Sequence, residues 1–216
     1  DFGQNYEIAV EGSLISRSND FMTISAQEIK DLRERTGAGI GDVKKALEES
    51  GGDSVKAFEW LARKFGGIAA KKSSRETSAG LIDAYIHSNG RVGVLLELHC
   101  ETDFVERNPA FKALAHDLSL HIAAMNPLYV SFDEVPKEVW SAEESRIKEE
   151  VRALDKSADV MAEIIDGKLK AHFGSLALLT QLFVKNQDKT VAEFLNEAIG
   201  RFGENIRVER FIRLEL

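Results

Sequence analysis

Two β-rich runs joined by an Asn-Gly pair constrain the fold more than any other feature of the sequence. The runs span residues 81–87 and 92–99, and Asn89 and Gly90 lie between them. Asn-Gly favours the positive φ angles of a tight hairpin turn, so the two runs are predicted to pair as antiparallel strands. Residues 206–216 alternate between apolar and polar side chains, which predicts a third strand able to join the hairpin.

Helical patterns predict the second layer that such a sheet needs. Asn108 and Pro109 are favourable first residues for a helix. Ser141 is predicted to open another helix, which runs through Leu154. Apolar residues at helical spacing predict two more helices, over residues 158–173 and 190–202. The predicted fold class of this region is α+β, a small antiparallel sheet packed with helices.

Three short helices are predicted to precede the sheet as a bundle. Ser25 and Glu28 form a capping box that opens the first helix, and Gly37 ends it. The second helix ends at a Ser-Gly-Gly turn. Asp53 or Ser54 is predicted to cap the third helix, which is predicted to end before the Gly-Gly pair that begins at Gly66.

The chain is predicted to divide into four parts. Residues 1–22 lack helical periodicity and end immediately before the first helix signal, so they are predicted to be a disordered extension or a tag. Residues 23–66 form the predicted three-helix bundle. Residues 67–79 are polar and basic and are predicted to be a linker, helical in part. Residues 80–216 form the predicted α+β core.

Composition disfavours several classes of function. The net charge of −8 disfavours a nucleic-acid partner, because phosphate binding depends on Lys and Arg. The apolar runs fall short of the roughly 20 residues that a membrane-spanning helix needs, so no transmembrane segment is predicted. One cysteine cannot form an internal disulfide, and the five histidines show no metal-ligand spacing. A reducing compartment is predicted.

No set of residues in the sequence is typical of an enzyme. Gly37, Gly39 and Gly41 lie between two short helices, whereas a dinucleotide-binding loop follows a strand. His99 and Cys100 are neighbours on a strand, so their side chains point to opposite faces and cannot act as base and nucleophile. Cys100 is therefore predicted to be a core residue.

Residues 101–107 are unusual for a connection between a strand and a helix. Phe104 and Val105 stand among polar residues, where turn residues are expected. The two side chains are either folded under the sheet or displayed on the surface. Burial is the commoner outcome for a large apolar side chain, since display usually requires a function.

Two motifs, in this order, resemble the signature of the elongation factor Ts family, the nucleotide-exchange factors of elongation factor Tu. One is Leu-Arg-Glu-Arg-Thr-Gly-Ala-Gly-Ile-Gly-Asp-Val-Lys-Lys-Ala-Leu at residues 32–47, and the other is Glu-Leu-His-Cys-Glu-Thr-Asp-Phe-Val at residues 97–105. The resemblance extends over residues 23–216. It departs from the family at His99, where Asn is usual, at Gly41, where a bulky residue is often found, and at Leu182, where Pro is common.

The resemblance implies a non-enzymatic exchange factor that promotes GDP release from elongation factor Tu in translation elongation. It implies that a loop of Thr102, Asp103, Phe104 and Val105 enters the nucleotide-binding domain of this partner and displaces Mg²⁺. No cofactor or metal is expected on the chain itself, because GDP and Mg²⁺ belong to the partner. The bundle is implied to dock on the same domain through Arg35, Gly39, Ile40, Gly41 and Asp42.

The resemblance also implies an assembly state and a location. Members of this length carry one sheet unit where longer members carry two related halves, so a homodimer is expected, with residues 80–216 as the dimerisation domain. Neither nucleic acid nor a membrane is an expected partner, and the bacterial cytoplasm is expected rather than an organelle. Another class of function stays open, since small three-helix (UBA-like) bundles also serve as protein-binding adaptors without exchange activity. A hydrolase is disfavoured by the lack of a Ser/His/Asp set or metal ligands.

Overall fold

The computed structural model describes residues 24–152 and 157–216. The extension predicted over residues 1–22 and the helix end predicted at Leu154 lie outside these residues. The described helices and strands, numbered in chain order, are α1 (Ala26–Thr36), α2 (Ile40–Glu49), α3 (Ser54–Lys72), β1 (Ala79–Ile86), β2 (Val92–Cys100), α4 (Asp103–Glu106), α5 (Pro109–Met125), α6 (Lys137–Arg152), α7 (Ala158–Leu176), β3 (Leu182–Phe183), β4 (Asn186–Thr190), α8 (Val191–Phe202) and β5 (Ile206–Glu215). These elements confirm the predicted α+β class.

The first three helices form a bundle with its own apolar core. The predicted capping box of Ser25 and Glu28 opens α1, and Gly37 ends this helix with a left-handed φ of 66°. Asp53 caps α3 by accepting hydrogen bonds from two backbone N–H groups. The side chains that meet between the helices include Leu32, Val43, Leu47, Leu61 and Phe65.

The third helix is longer than the sequence indicates. The predicted end before Gly66 and Gly67 is wrong, because α3 continues to Lys72. Each glycine costs a helix only about 1 kcal/mol. Ile68 and Ala69 lie beyond the glycines and pack against the core under the sheet, which offsets this cost. The first half of the predicted linker is therefore helix, while the domain boundaries stay a prediction.

The main sheet has the strand order β1-β2-β5, and both strand pairs are antiparallel. The predicted hairpin and third strand are thus confirmed. Val94, Leu96 and Leu98 of β2 are buried in one core with Phe111 and Leu118 of α5. The opposite face of the sheet displays exposed aliphatic side chains and is called here the open sheet face: Ile82, Ile86, Leu95, Ile212 and Leu214.

Helices α6 and α7 pack on each other around a separate apolar cluster. The start predicted at Ser141 is wrong, because α6 begins at Lys137. The carbonyl of Pro136 accepts the first helical hydrogen bond, from the N–H of Trp140 at 3.0 Å. The Trp140 ring then stacks on Phe173 of α7, with ring centres 4.6 Å apart. A contact between distant residues thus stabilises the early start of α6.

The bundle meets the rest of the molecule where α3 packs against α8. Gly200 of α8 permits a close approach, since a Cβ atom added there would lie 2.5 Å from the Phe65 ring. At the end of α3, the Lys72 ammonium donates to the carbonyl of Gly203, the C-cap of α8, at 2.5 Å. Helix α8 therefore positions the bundle relative to the sheet.

Candidate protein-interaction site

The Phe104 loop, residues 101–108, joins β2 to α5. The last residue pair of the β2–β5 ladder is Cys100 with Ile206, immediately before the loop. The loop contains the single turn α4, with Thr102 as its N-cap. It ends at Asn108, whose side chain caps α5. The loop is thus bounded by a strand pair on one side and a helix cap on the other.

Phe104 and Val105 lie in opposite environments. The Phe104 side chain is 81% exposed, whereas Val105 is 4% exposed and belongs to the core under the sheet. Of the two alternatives left by the sequence, burial is wrong for Phe104 and right for Val105. A large aromatic ring held in water beside a buried anchor is a candidate contact for another protein.

Hydrogen bonds and an ion pair hold the Phe104 loop. The backbone N–H and the hydroxyl of Thr102 both donate to the carboxylate of Glu204, at 3.1 and 2.6 Å. Asp103 pairs with Arg107 one turn later, at 2.9 Å. Glu204 cannot be predicted as part of this site from the sequence, because it lies 102 residues from Thr102 and no local pattern marks it.

Cys100 is a core residue, as predicted. Its side chain is buried, and its S–H group donates to the carbonyl of Thr102 at 3.3 Å. Burial, followed by the nearby carboxylates of Glu204 and Glu106, raises the pKa of the thiol to about 11. The thiol therefore stays protonated at neutral pH and is a poor nucleophile.

The predicted contact residues of the bundle lie at the end of α1 and the start of α2. They are called here the bundle site: Arg35, Gly39, Ile40, Gly41 and Asp42. Gly39 is the N-cap of α2, and Ile40 is 50% exposed. A Cβ atom added at Gly39 or Gly41 would meet no atom within 4 Å, so local packing requires neither glycine. The positive φ of the turn belongs to Gly37 instead.

The two charged residues of the bundle site form ion pairs. Arg35 pairs with Asp188 at 3.1 Å, and its guanidinium carbon lies 5.2 Å from the ring centre of Phe58. Asp42 pairs with Lys64. Both pairs are partly exposed to water, so another protein can replace them at small cost.

Helix α8 connects the bundle site to the Phe104 loop. Just before α8, the Lys189 ammonium donates to the carbonyl of Arg35 at 3.3 Å. Just after α8, Glu204 accepts from Thr102. The 12 residues of α8 span about 18 Å. Arg35 of the bundle site is thus bound to the segment before α8, and Thr102 of the Phe104 loop is bound to the turn after it.

A buried ion pair lies where the bundle meets α8. The Lys189 ammonium donates to the Glu197 carboxylate at 2.5 Å, and both side chains are mostly buried. Burial raises the pKa of Glu197 to about 7, despite the attraction of Lys189. This pair cannot be predicted from the sequence, because β4, which places Lys189, is too polar to predict as a strand.

His121 is a structural residue. Its Nε2 lies 2.9 Å from the side-chain oxygen of Gln181, and its Nδ1 accepts the N–H of Val184 at 3.1 Å. Burial lowers the pKa of His121, which favours the neutral ring that this pattern requires.

Within residues 24–152 and 157–216, no three His, Cys, Asp or Glu side chains are grouped so that they could hold a metal ion. None of the helices in the same ranges is both long enough and apolar enough to cross a membrane.

Comparison with known proteins places the chain among its relatives. Residues 14–216 match the family model described as Elongation factor TS. The chain is 48% identical to Elongation factor Ts of Fervidobacterium nodosum over 195 residues, which cover 90% of this chain and 99% of that protein. It is 47% identical to Elongation factor Ts of Rubrobacter xylanophilus, over 90% of this chain and 100% of that protein. The identity to Elongation factor Ts of Thermotoga petrophila is 48%, over 90% of this chain and 97% of that protein.

Proposed function

The chain belongs to the elongation factor Ts family, and on that premise we propose that its Phe104 loop acts as a wedge. Family membership implies nucleotide exchange on elongation factor Tu during translation elongation. In the proposed mechanism, residues Thr102, Asp103, Phe104 and Val105 approach the nucleotide-binding domain of this partner and Phe104 enters it. The insertion displaces Mg²⁺ and thereby weakens GDP binding, while the bundle site docks on the same domain.

The exposure of Phe104 on a fixed turn is the observation that carries this proposal. Its neighbour Val105 is buried, and Thr102 is bound to Glu204, so both sides of the aromatic residue are anchored. A side chain on an anchored backbone loses less conformational freedom on entering a partner than one on a mobile loop, because the backbone is already ordered. More of the free energy of its burial is therefore available to oppose nucleotide binding.

The free energy needed for exchange requires a second contact with elongation factor Tu besides Phe104. A 10⁴-fold bias toward the nucleotide-free partner corresponds to about 5.5 kcal/mol. Burial of one Phe side chain contributes roughly 1.5 to 3 kcal/mol. Phe104 alone therefore falls short, and we assign the remainder to docking through the bundle site, where Ile40 offers an exposed apolar side chain.

The proposal assigns every small molecule in the reaction to the partner. GDP and Mg²⁺ belong to elongation factor Tu, and this chain acts by protein contact without a cofactor and without enzymatic chemistry. Neither nucleic acid nor a membrane takes part. We place the activity in the bacterial cytoplasm, where the family's partner works.

We also propose that two copies of the chain pair through the open sheet face. The strand register pairs Leu95 with Ile212, so their exposed side chains share this face. Glu97 and Arg210, also paired in register, form an ion pair at 2.6 Å, so their charges cancel. An apolar face that spans three strands is more than a monomer usually exposes, and it can meet a copy of itself about a two-fold axis.

Stopped-flow release of a fluorescent GDP analogue from elongation factor Tu tests the wedge. The unaltered chain is expected to accelerate release. Phe104→Ala is expected to dock with nearly unchanged affinity but to lower the maximal release rate at least about tenfold, since roughly 1.5 to 3 kcal/mol of burial is lost. Val160→Ala is the matched control, because it removes an exposed apolar side chain on α7 and should leave the rate unchanged.

Two other outcomes would change the conclusion. Binding by the unaltered chain without accelerated release would favour an adaptor over an exchange factor. Full activity of Phe104→Ala would refute the wedge while leaving exchange itself in place.

A further inference from the structure

The backbone ladder between β2 and β5 ends immediately before Glu101, and side chains continue the connection beyond it. The carboxylate of Glu101 accepts the backbone N–H of Asn205 at 2.5 Å. In the opposite direction, the carboxylate of Glu204 accepts both the N–H and the hydroxyl of Thr102. The two segments are therefore joined crosswise, and each supplies one carboxylate to the backbone of the other.

The bond to Glu204 replaces the usual cap of α4. Thr102 is the N-cap of this helix, yet its side chain makes no hydrogen bond to the helix. Its hydroxyl is used instead for Glu204. A helix of four residues has little stability of its own, so its direction depends on what holds its two ends. Val105 is held by the core, and the start of the turn is held by Glu204.

Glu204 is itself placed by contacts with the end of α3. It follows Gly203, which ends α8 with a φ of 72° and accepts a hydrogen bond from Lys72. It precedes Asn205, whose side-chain amide donates to the carbonyl of Arg75 at 2.8 Å. The turn that carries Glu204 is thus bound to the segment that follows the last helix of the bundle.

We propose that Glu204 is a positioning residue for exchange: its carboxylate holds Thr102 and so fixes the direction in which Phe104 projects. The proposal rests on the wedge function proposed above. It adds that the exposed ring is effective only when the α8–β5 turn holds the start of its helix. In this proposal Glu204 makes no contact with elongation factor Tu and acts only through Thr102.

Glu204→Gln tests the proposal with little change of size. The amide oxygen can accept the Thr102 N–H and the amide NH₂ can donate to the Thr102 hydroxyl, so both contacts can persist but lose the negative charge of the carboxylate. The maximal rate of release of the fluorescent GDP analogue is expected to fall at least about fivefold, since hydrogen bonds to charged groups are the stronger ones. The half-saturating concentration is expected to stay within about twofold, because the bundle site is untouched.

Variants of Thr102 and a distant glutamate make the test specific. Thr102→Val removes one donor and is expected to slow release as Glu204→Gln does, and the double variant should be no slower than the slower single variant. Thr102→Ser retains the hydroxyl that donates to Glu204, so it is expected to release GDP faster than Thr102→Val. Glu163→Gln, on the exposed surface of α7, is the matched control.

Hydrogen exchange at the Thr102 amide gives a second, partner-independent measurement. The amide donates to Glu204, so Glu204→Gln is expected to increase its exchange rate while amides in α5 keep theirs. If the unaltered chain fails to accelerate GDP release, the proposed function fails, and this measurement still decides whether Glu204 holds the loop. An unchanged exchange rate of the Thr102 amide in Glu204→Gln would show that Glu204 does not hold the loop. If Glu204→Gln raised only the half-saturating concentration and left the maximal release rate unchanged, the positioning role would be overturned.

Discussion

At the scale of single residues, Glu204 and Glu197 show how burial changes the role of a carboxylate. Glu204 lies near the surface and accepts two hydrogen bonds from Thr102. Glu197 is buried beside Lys189, and burial raises its pKa to about 7. One carboxylate therefore holds a loop, while the other makes the contact between the bundle and α8 sensitive to pH.

Glu197→Gln is expected to change how stability depends on pH. The folded chain holds the Glu197 proton more tightly than the unfolded chain, so this contribution is complete below the ordinary carboxyl range and is lost as pH rises through about 7. Between about pH 5 and about pH 8, the free energy of unfolding should fall by up to about 3 kcal/mol more in the unaltered chain than in Glu197→Gln. Urea unfolding at both pH values measures the difference.

The comparison isolates Glu197 from other titrating groups. Burial lowers the pKa of His121, which acts in the opposite direction, as stability is lost when pH falls below the ordinary histidine range. His121 is present in both chains, so its effect cancels in the difference. Equal pH dependence of the two chains would contradict the prediction.

At the scale of elements, the glycines inside α3 and α8 differ in the space around them. Gly66 lies within α3, where an added Cβ atom would meet nothing within 4 Å. Gly200 lies within α8, where an added Cβ atom would lie 2.5 Å from the buried Phe65 ring. The first glycine only weakens its helix, whereas the second permits the two helices to approach.

The same substitution is therefore expected to have opposite effects at these two positions. Gly66→Ala should raise the free energy of unfolding by about 0.4 to 1 kcal/mol, because the unfolded chain loses freedom and the helix gains propensity. Gly200→Ala should lower it by about 1 to 3 kcal/mol, because the Phe65 ring must shift in a packed interface. Chemical denaturation of both variants tests the pair, and a stabilised Gly200→Ala would show that α3 and α8 do not pack as described.

At the scale of the whole molecule, α8 lies between contacts to the bundle site and to the Phe104 loop, and one apolar face of the sheet is exposed to water. Arg35 of the bundle site is bound to Asp188, just before α8, and Thr102 of the Phe104 loop is bound to Glu204, just after it. The open sheet face lies across β1, β2 and β5 and displays aliphatic side chains from all three strands. Docking on a partner and pairing of two copies can therefore use different surfaces.

Ile212→Glu is expected to separate the two copies. A carboxylate in the middle of the open sheet face would have to be buried without a partner in the proposed dimer, at a cost of several kcal/mol. Sedimentation equilibrium at micromolar concentration should give the mass of two chains for the unaltered protein and of one chain for Ile212→Glu. Ile212→Val keeps the apolar surface and serves as the control, and a single-chain mass for the unaltered protein would contradict the homodimer.

The sequence by itself determined the elements whose signals are local. The Asn89-Gly90 hairpin, the capping box of Ser25 and Glu28, and the cap at Asn108 all depend on residues a few positions apart, and all are present. The family was identified correctly for the same reason, because each of its motifs is a short continuous segment. The roles of individual site residues stay predictions.

Only the tertiary structure decided the features that depend on distant residues. The exposure of Phe104 beside a buried Val105 depends on the core under the sheet, and the bond from Thr102 to Glu204 joins residues 102 positions apart. The passage of α3 through Gly66 depends on packing beyond that residue. Local propensities are worth about 1 kcal/mol or less per residue, so burial against distant side chains overrides them wherever the two disagree.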